Sequence, residues 1–270
     1  MATLKEIQNC QLQILKDVAD FCDRHSINYY LAAGTLLGAV RHQGFIPWDD
    51  DVDVFMDYND LSRFKSLFIK EMSKNYFYQD NETDPGYISM FPKIMKNGTY
   101  MPEKEQSKIH QGVWIDIFPL VSVAENEEKT RKQIECICDY QNSLANYGSI
   151  INASCTSLKN TILKLYNCIK YKRRIKKQQK EFVSYQCENA DKFIILDNLF
   201  WKGFDEEVCS IVFSQMLPKK WFKTKKYYVF EDYEFSSLWN SNEYLIMLYG
   251  KDYMIPVKYA HLSDYSKVIV

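Results

Sequence analysis

Four aspartates are crowded into the five positions 49–53 of the 270-residue sequence. The alternation of Asp and Val there predicts a strand over 51–55, in which Asp51 and Asp53 turn to the same face. Two carboxylates this close repel each other and raise each other's pKa unless a cation neutralises them, and their hard oxygens suit Mg²⁺ or Mn²⁺. Because the spacing differs from that of an EF-hand, we prefer a catalytic metal site over an acidic surface turn or a loose calcium loop.

Asp116 is an ionisable residue inside the apolar segment 113–118, which predicts a strand that ends at Pro119. A buried acid needs a partner, so we expect Asp116 to face a cation or hydrogen-bond donors. It is the best candidate for a third acid beside Asp51 and Asp53. Two roles stay open for it: ligation of a metal ion, and acceptance of a proton from an attacking hydroxyl.

The pair Gly34-Thr35 lies about 15 residues before the acids, between a short apolar strand and a helical segment. Glycine lets a backbone approach a phosphate closely, and the start of a helix offers unpaired N–H groups to an anion. The pair therefore predicts a phosphate contact. Arg41, His42 and Lys93 are basic groups in the same part of the sequence, and each could neutralise phosphate charge or form a structural ion pair.

The elements that position these residues alternate between helices and strands, which predicts an α/β fold with a mixed sheet and flanking helices. Predicted helices cover 3–25, 36–42 and 60–74, and predicted strands cover 29–33, 51–55, 87–95 and 113–118. Strand signals fade after residue 124. We therefore divide the chain into a catalytic core over 1–124, a helical basic segment over 125–192, and a C-terminal part of the same catalytic unit over 193–270.

Charge is balanced over the whole chain but not along it. The 34 Lys and Arg against 35 Asp and Glu give a formal net charge of −1, which argues against a nucleic-acid partner. Residues 159–180 nevertheless carry nine basic residues and no acid. Apolar residues recur on one face of the helix predicted there, at Leu158, Ile162, Leu165, Ile169 and Ile175. Two interpretations stay open: a solvated helix docked through this apolar stripe, and peripheral contact with an anionic membrane surface.

The sequence shows no signal for secretion or for membrane insertion. Its N-terminus carries Glu6 and Asp17 and lacks an apolar h-region, and no run reaches the roughly 18 apolar residues of a membrane span. The eight cysteines contain no Cys-x-x-Cys motif. We therefore expect a cytoplasmic protein with reduced thiols, located at the inner face of the membrane if the basic helix binds lipid.

Three segments of the sequence resemble the LicD family. Residues 30–53 (YLAAGTLLGAVRHQGFIPWDDDVD) are similar to the family signature, residues 112–120 (GVWIDIFPL) to its second motif, and residues 244–254 (YLIMLYGKDYM) to its C-terminal motif. The resemblance spans most of the chain and is weakest over about 125–200. It implies a nucleotidyltransferase-like fold and an enzyme that transfers substituted phosphate groups.

The resemblance also implies substrates and residue roles. Members of the family move phosphocholine from CDP-choline to a sugar of a cell-surface polymer or lipopolysaccharide, and the more distant fukutin group moves ribitol phosphate from CDP-ribitol. By this resemblance, Asp51, Asp53 and Asp116 would hold Mg²⁺ or Mn²⁺, and Gly34 and Thr35 would contact the donor phosphates. The expected partners are CDP-choline or a related CDP-alcohol, and a glycan or lipid-linked glycan acceptor.

The resemblance does not decide which group is moved. If it is phosphocholine, Trp48 and Tyr253 are candidate contacts for the quaternary ammonium, since each such ring contributes about 0.5 to 2 kcal/mol. Ethanolamine, ribitol or glycerol phosphate, or a sugar phosphate, are alternatives. A conventional nucleotidyltransferase would attack the α-phosphorus and release pyrophosphate. A non-catalytic nucleotide-binding homologue is the alternative of another class.

Overall fold

The computed structural model describes residues 2–102, 108–155, 157–197, 200–201, 203–256 and 265–270. The first half contains α1 (Leu4–Arg24), β1 (Tyr29–Leu31), α2 (Ala33–His42), β2 (Asp53–Asp57), α3 (Tyr58–Met72), β3 (Tyr76–Gln79), β4 (Lys93–Lys96) and β5 (Trp114–Ser122). The second half contains α4 (Glu127–Asn152), α5 (Leu158–Ser184), β6 (Lys192–Ile195), α6 (Glu206–Gln215), β7 (Leu217–Pro218), β8 (Lys225–Phe230), β9 (Tyr233–Leu238) and α7 (Ser241–Tyr249). This order confirms the predicted α/β class.

The strands that carry Asp53 and Asp116 are neighbours in the middle of a mixed sheet. Within the described residues the sheet has seven strands in the order β1-β2-β5-β4-β3, and β6 pairs with the far part of β5 and with β7. β2 and β5 are parallel, and the other pairs are antiparallel. The register sets Asp53 beside Asp116, and Asp116 beside Lys93. The sheet therefore brings together three charged residues from distant parts of the sequence.

The predicted first helix is confirmed as α1. It begins with a capping box, in which the Thr3 hydroxyl accepts from the Glu6 N–H and the Glu6 carboxylate accepts from the Thr3 N–H. Its apolar face, which includes the fully buried Ile7 and Ile14, packs against β4 and β5. α1 therefore covers the strands that carry Lys93 and Asp116.

Several predicted boundaries differ from the structure. β2 begins at Asp53, so Asp51 precedes the strand instead of belonging to it. α2 begins at Ala33, earlier than predicted. The segment predicted as a strand over 87–95 is a strand only in its last part, in β4, and its earlier part forms local hydrogen bonds. One of these joins the Tyr87 hydroxyl to the Phe91 carbonyl at 2.8 Å.

The prediction that β5 ends at Pro119 is wrong, since the strand continues to Ser122. The carbonyl of Pro119 accepts a hydrogen bond from the N–H of Leu196, just beyond β6, at 2.9 Å. The nitrogen of Pro119 therefore faces the junction between β4 and β6. No sheet hydrogen bond needs a donor at that position, so the missing N–H of proline breaks none. Proline is tolerated there for the same reason that it is tolerated on an edge strand.

Buried apolar side chains of the described residues form two clusters. The larger joins the sheet to α1, α2, α3, α7 and the β8–β9 hairpin, and the smaller joins α4, α5, α6 and β6. Ile134 of α4, Phe182 of α5 and Phe200 all belong to the smaller cluster. Side chains from both sides of residue 192 thus share one core, and the division of the chain at 124 and 192 stays a prediction.

The buried residues of α5 all lie in its second half, and Cys168 and Tyr171 pack against the same core partly buried. Ile175 and Phe182 are 5% and 0% exposed. The other four residues of the predicted apolar stripe are between 54% and 77% exposed: Leu158, Ile162, Leu165 and Ile169. The interpretation of a helix docked through that stripe is therefore wrong. Within the described ranges, no helix combines the length and the apolar character that crossing a bilayer requires.

Candidate active site

Asp53 and Asp116 lie side by side on the parallel strands β2 and β5, and each is 9% exposed. The N–H of Asp116 donates to the carbonyl of Val52 at 2.8 Å. The carbonyl of Asp53 accepts from the N–H of Ala32 at 3.0 Å. Both carboxylates are therefore mounted on backbone that the sheet holds in place, as a site with defined geometry requires.

Asp51 belongs to the same electrostatic site although it lies outside β2. Desolvation by the surrounding protein, followed by repulsion from Asp116, raises the pKa of Asp51 to about 7, even though part of the residue is open to solvent. The same two causes hold the pKa of Asp53 well above its usual range. Lys93 opposes both shifts without cancelling them. The group of carboxylates is thus short of positive charge.

The donors present fit a divalent cation. Carboxylate oxygens of Asp49, Asp50 and Asp51 all lie within 4.8 Å of one another, a compactness that suits one ion. Asp51 is common to this group and to the predicted ligand set with Asp53 and Asp116. Both sets offer oxygen alone and carry excess negative charge, which matches Mg²⁺ or Mn²⁺ better than a metal that prefers nitrogen or sulfur ligands. The predicted ligand set stays a prediction.

Lys93 is a buried cation beside the acids. Its side chain extends from β4, where the residue is 6% exposed, and its Nζ lies 3.9 Å from Asp116 Oδ1. The same Nζ lies 3.9 Å from the centroid of the Trp114 ring. The aromatic face and the carboxylate together offset the cost of burying the ammonium group. Lys93 is therefore positioned as an ion-pair partner, and its predicted contact with phosphate stays a prediction.

The start of α2 holds Asp53 and leaves room for the acidic loop, residues 49–52, which precedes β2. The buried hydroxyl of Thr35 accepts from the N–H of Asp53 at 2.8 Å. A Cβ atom on Gly34 would lie 2.8 Å from Asp49 Oδ2, so glycine gives this carboxylate the room it occupies. The predicted phosphate contacts of Gly34 and Thr35 remain predictions, whereas the hydrogen bond of Thr35 to Asp53 is part of the structure.

A cavity of about 310 Å³ opens next to Gly34 and Asp49, and we call it the aromatic cavity. Arg41 and Asp252 also line it, together with three aromatic residues: Trp48, Tyr249 and Tyr253. Asp49 is shared between this cavity and the compact group of three aspartates. A ligand bound in the aromatic cavity therefore has direct access to the carboxylates.

A second cavity, of about 270 Å³, lies next to Ala33 and Asp53, and we call it the Asp197 cavity. Phe55, Phe118, Met247 and Leu248 give it apolar walls, while Asp53 and Asp197 give it two acids. Ala33 has a φ of 41°, and its N–H donates to the Tyr244 hydroxyl at 3.1 Å. Such left-handed backbone costs a non-glycine residue about 1–3 kcal/mol and is concentrated at functional sites. The strained start of α2 thus lies between two cavities that both reach the acids.

Arg41 and His42 take different positions at the aromatic cavity. Arg41 lines it and donates from Nη1 to the carbonyl of Tyr253 at 2.7 Å, which ties α2 to the C-terminal part of the chain. His42 packs edge-on against Trp48, with ring centroids 6.4 Å apart. Burial, followed by the charge of Arg41, lowers the pKa of His42, which favours its neutral ring.

Three residues that hold the acidic loop were not predicted from the sequence. Gln8 and Gln11 of α1 donate from Nε2 to the carbonyls of Asp49 and Asp50 at 2.9 Å and 2.5 Å. From the far end of the chain, the Tyr265 hydroxyl donates to Asp50 Oδ2 at 3.1 Å. A signal for the glutamines is present in the sequence, because both interrupt the apolar face of α1. Tyr265 carries no comparable signal.

Comparison with known proteins bears on the same residues. A family model described as LicD/FKTN/FKRP, nucleotidyltransferase domain, matches residues 26–135. The chain carries a LicD-family domain. The LicD match confirms the nucleotidyltransferase-like core. It also contains nine residues proposed from the sequence: Gly34, Thr35, Arg41, His42, Trp48, Asp51, Asp53, Lys93 and Asp116.

Curated relatives extend the LicD similarity beyond that domain. The chain is 28% identical over 260 residues to the lipopolysaccharide cholinephosphotransferase LicD of Haemophilus influenzae. The aligned region covers 93% of this chain and 91% of that protein. An uncharacterized protein of Rickettsia typhi is 37% identical over 115 residues, covering 43% of this chain and 35% of its own. The human ribitol 5-phosphate transferase FKRP is 36% identical over 109 residues, covering 33% of this chain and 22% of its own.

Proposed function

We propose that this protein transfers phosphocholine from CDP-choline to a sugar hydroxyl of a cell-surface polysaccharide, teichoic acid or lipopolysaccharide precursor, with Mg²⁺ or Mn²⁺ as its cofactor. Similarity to a cholinephosphotransferase and to a ribitol 5-phosphate transferase supports the transfer of a phospho-alcohol group in general. The observation that carries the choice of choline is the aromatic cavity beside the carboxylates.

The lining of the aromatic cavity suits a quaternary ammonium. Trp48, Tyr249 and Tyr253 supply aromatic faces, and each face attracts a desolvated cation by about 0.5 to 2 kcal/mol. Asp49 and Asp252 add negative charge, which a neutral polyol would not use in the same way. With the choline group in this cavity, its phosphate would lie toward Gly34 and the compact aspartates.

The residues around the phosphates have separable tasks. A divalent ion held by Asp51, Asp53 and Asp116 supplies, when bound, the positive charge that the diphosphate and the departing CMP require. Gly34 leaves the start of α2 open to an anion. Lys93 adds a fixed cation next to Asp116. The acceptor oxygen forms a bond to the phosphorus that bears choline while the bond from that phosphorus to the CMP oxygen breaks.

The proposed acceptor site is the Asp197 cavity. It is lined by Ala33 and Asp53, and the next residue along the chain, Gly34, lines the aromatic cavity, so the two cavities meet at the start of α2. Apolar walls next to acids suit a sugar ring, which presents C–H faces and hydroxyl groups. The proton of the attacking hydroxyl then goes to a nearby carboxylate, and Asp116 is the candidate from the sequence in the alternative in which it accepts that proton instead of ligating the ion.

Transfer of ribitol phosphate is the second candidate, and the similarity to FKRP favours it. Ribitol carries no charge, so its recognition would depend on hydrogen bonds and not on aromatic faces. The two candidates therefore differ in how they respond to the loss of one ring from the aromatic cavity.

Calorimetric titration of the purified protein with CDP-choline, CDP-ethanolamine, CDP-ribitol and CDP-glycerol separates the candidates. We expect CDP-choline to bind most tightly, to require Mg²⁺, and to lose binding with EDTA or in the double variant Asp51→Asn/Asp53→Asn. Tighter binding of CDP-ribitol would favour the second candidate. If none of the four donors binds with Mg²⁺ present, the proposal fails and a sugar-nucleotide donor or a non-catalytic role takes its place.

A matched pair of tyrosine variants tests the aromatic cavity itself. Tyr249→Ala removes one ring from the cavity and should weaken CDP-choline by about tenfold while leaving CDP-glycerol unchanged. Tyr227→Ala removes a ring that is 59% exposed on β8 and should change neither donor. Equal loss of both donors in Tyr249→Ala would place the choline group elsewhere.

A further inference from the structure

The first half of α5 presents large apolar side chains to solvent. Six of them are between 54% and 77% exposed: Leu158, Ile162, Leu163, Leu165, Tyr166 and Ile169. Ordinary surfaces carry apolar side chains singly, whereas a contiguous patch marks a surface that binds something. We call Leu158, Ile162, Leu165 and Ile169 the exposed row.

Helix geometry shows that the exposed row is separate from the face that α5 buries. At about 100° per residue, the four residues of the row fall within roughly 60° of one another. Ile175, Gln178 and Phe182, which are the buried residues of α5, lie roughly 140° away around the helix. The packing of α5 on α4 therefore leaves the row uncovered.

Basic residues follow the exposed row along α5, and four of them lie within roughly 50° of its middle: Lys172, Arg173, Lys176 and Lys180. Of the nine in residues 159–180, Lys164 donates to the carbonyls of Ile151 and Ala153 at 2.7 Å and 2.8 Å and so caps the end of α4. The other eight are exposed: Lys159, Lys170, Lys172, Arg173, Arg174, Lys176, Lys177 and Lys180. Across the described part of the chain, none of these eight forms an ion pair with an acid within 4.0 Å.

We propose that α5 lies flat on an anionic lipid surface, with the exposed row inserted among the acyl chains and the basic residues on the headgroups. An apolar row continuous with basic residues is the pattern of an interfacial helix. A second copy of this face would bring like charges together, which disfavours self-association through it. Nucleic acid would pair with the basic residues but would leave the exposed row in water. This proposal does not depend on which donor the active site uses.

Sedimentation with lipid vesicles tests the proposal on the full chain. The vesicles contain either phosphatidylcholine alone or phosphatidylcholine with about 30% phosphatidylglycerol, at low and at high NaCl concentration. We expect binding to the anionic vesicles only, with a loss of several-fold as salt rises, because the exposed charges are screened. Absence of binding to the anionic vesicles at low salt would overturn the proposal.

Two sets of variants separate insertion from simple attraction. Leu165→Asn/Ile169→Asn removes half of the exposed row, and Lys172→Gln/Lys176→Gln removes two charges; each should weaken vesicle binding by about tenfold or more. Control variants at exposed positions elsewhere, Val229→Asn and Lys70→Gln/Lys74→Gln, should bind as the unmodified protein does.

Two outcomes would contradict the proposed insertion. One is vesicle binding that needs the basic residues but not the exposed row. The other is a dimer, detected by analytical ultracentrifugation, that the Leu165→Asn/Ile169→Asn variant dissociates. An unchanged far-UV circular dichroism spectrum and an unchanged melting temperature show that the variants are folded.

Discussion

Asp53 and Asp116 are each 9% exposed, and their backbones are held by hydrogen bonds from Ala32 and to Val52. By contrast, Lys172 and Lys176 of α5 are exposed, and neither forms an ion pair with an acid in the described part of the chain. Both regions concentrate charge of one sign. Asp53 and Asp116 do so where water is scarce, and desolvation, followed by repulsion from Asp116, holds the pKa of Asp53 well above its usual range. The bases do so in water, where repulsion is screened.

The difference in solvation determines how each region can work. A desolvated charge interacts strongly with its neighbours and with any bound cation, so the loss of a single one has a large effect. Solvated charges act together, because each adds only a small part of the electrostatic potential of the surface. Single substitutions should therefore abolish the function of the acidic site and only reduce that of the α5 surface. The expected effects run in that order, from the acids to the single charges of α5.

The substitution Asp53→Asn should lower kcat/KM for donor turnover by about 10³-fold or more, since a carboxylate on a rigid strand and its metal contribute several kcal/mol to such a reaction. The measurement is CMP release with Mg²⁺ present. In EDTA at pH 7.5 the variant should be at least as stable as the parent, because it removes a charge that its surroundings disfavour. Retention of more than about a tenth of the activity would contradict the assignment.

The substitution Gly34→Ala should lower kcat/KM by about 10- to 100-fold, because its Cβ would lie 2.8 Å from Asp49 Oδ2 and displace that carboxylate. Its melting temperature should change little, since the displaced group is a side chain. The contrasting control is Gly203→Ala, at a φ of 83° with open space around it. That variant should lose stability and keep its activity; the reverse pattern would contradict the role of Gly34.

The substitution Thr35→Val leaves the N–H of Asp53 without its acceptor and should cost about 1–3 kcal/mol of unfolding free energy in urea titrations. Thr35→Ser keeps the hydroxyl and should recover most of that loss. If Thr35→Val keeps the parent stability while Thr35→Ser loses it, packing of the Thr35 methyl group matters and the hydrogen bond does not.

The metal-free protein should become less stable as pH rises from about 4 to about 7. The pKa of Asp51 is raised from 3.8 to about 7, so in this window the folded state binds more protons than the unfolded state, and the free energy of unfolding falls with pH. Melting temperatures in EDTA at pH 5 and pH 7 measure the difference. Asp51→Asn should flatten this dependence, and Mg²⁺ should raise stability most at the higher pH. A fall in Asp51→Asn as steep as in the parent would show that the dependence does not originate in Asp51.

The smallest effect is expected for a single charge on α5. Lys176→Gln should reduce binding to anionic vesicles by less than about fivefold and should leave CMP release in solution unchanged, since one basic residue near an anionic surface adds about 1 kcal/mol. A complete loss of vesicle binding would show that a single charge on α5 is as decisive as Asp53 is in the active site. That result would contradict the contrast drawn between the two regions.

The parts of the site that the sequence predicted are those whose signal is local. Asp51 and Asp53 are two positions apart, and Asp116 stands out against the apolar strand around it. Gly34 lies in the first turn of α2, where a Cβ atom would meet the Asp49 carboxylate. The α/β class follows from alternating periodicities that are likewise read over a few residues.

The parts that were not predicted depend on contacts between distant residues. Gln11 reaches the carbonyl of Asp50, 39 positions away, and Tyr265 reaches the side chain of Asp50 from 215 positions away. Asp197 joins Asp53 in one cavity only because β6 extends the sheet beyond β4. The end of β5 was misjudged because the tolerance of Pro119 depends on which neighbouring strands pair at that position. No window of sequence contains this information.

The most direct test of the proposed phosphocholine transfer is ³¹P NMR of a reaction that contains the protein, CDP-choline, Mg²⁺ and a glycan acceptor preparation. We predict that resonances of CMP and of a choline phosphodiester on sugar appear together, and that both are absent with EDTA or with Asp53→Asn. Release of pyrophosphate with nucleotide attached to the acceptor, or turnover that persists in Asp53→Asn, would contradict the proposal.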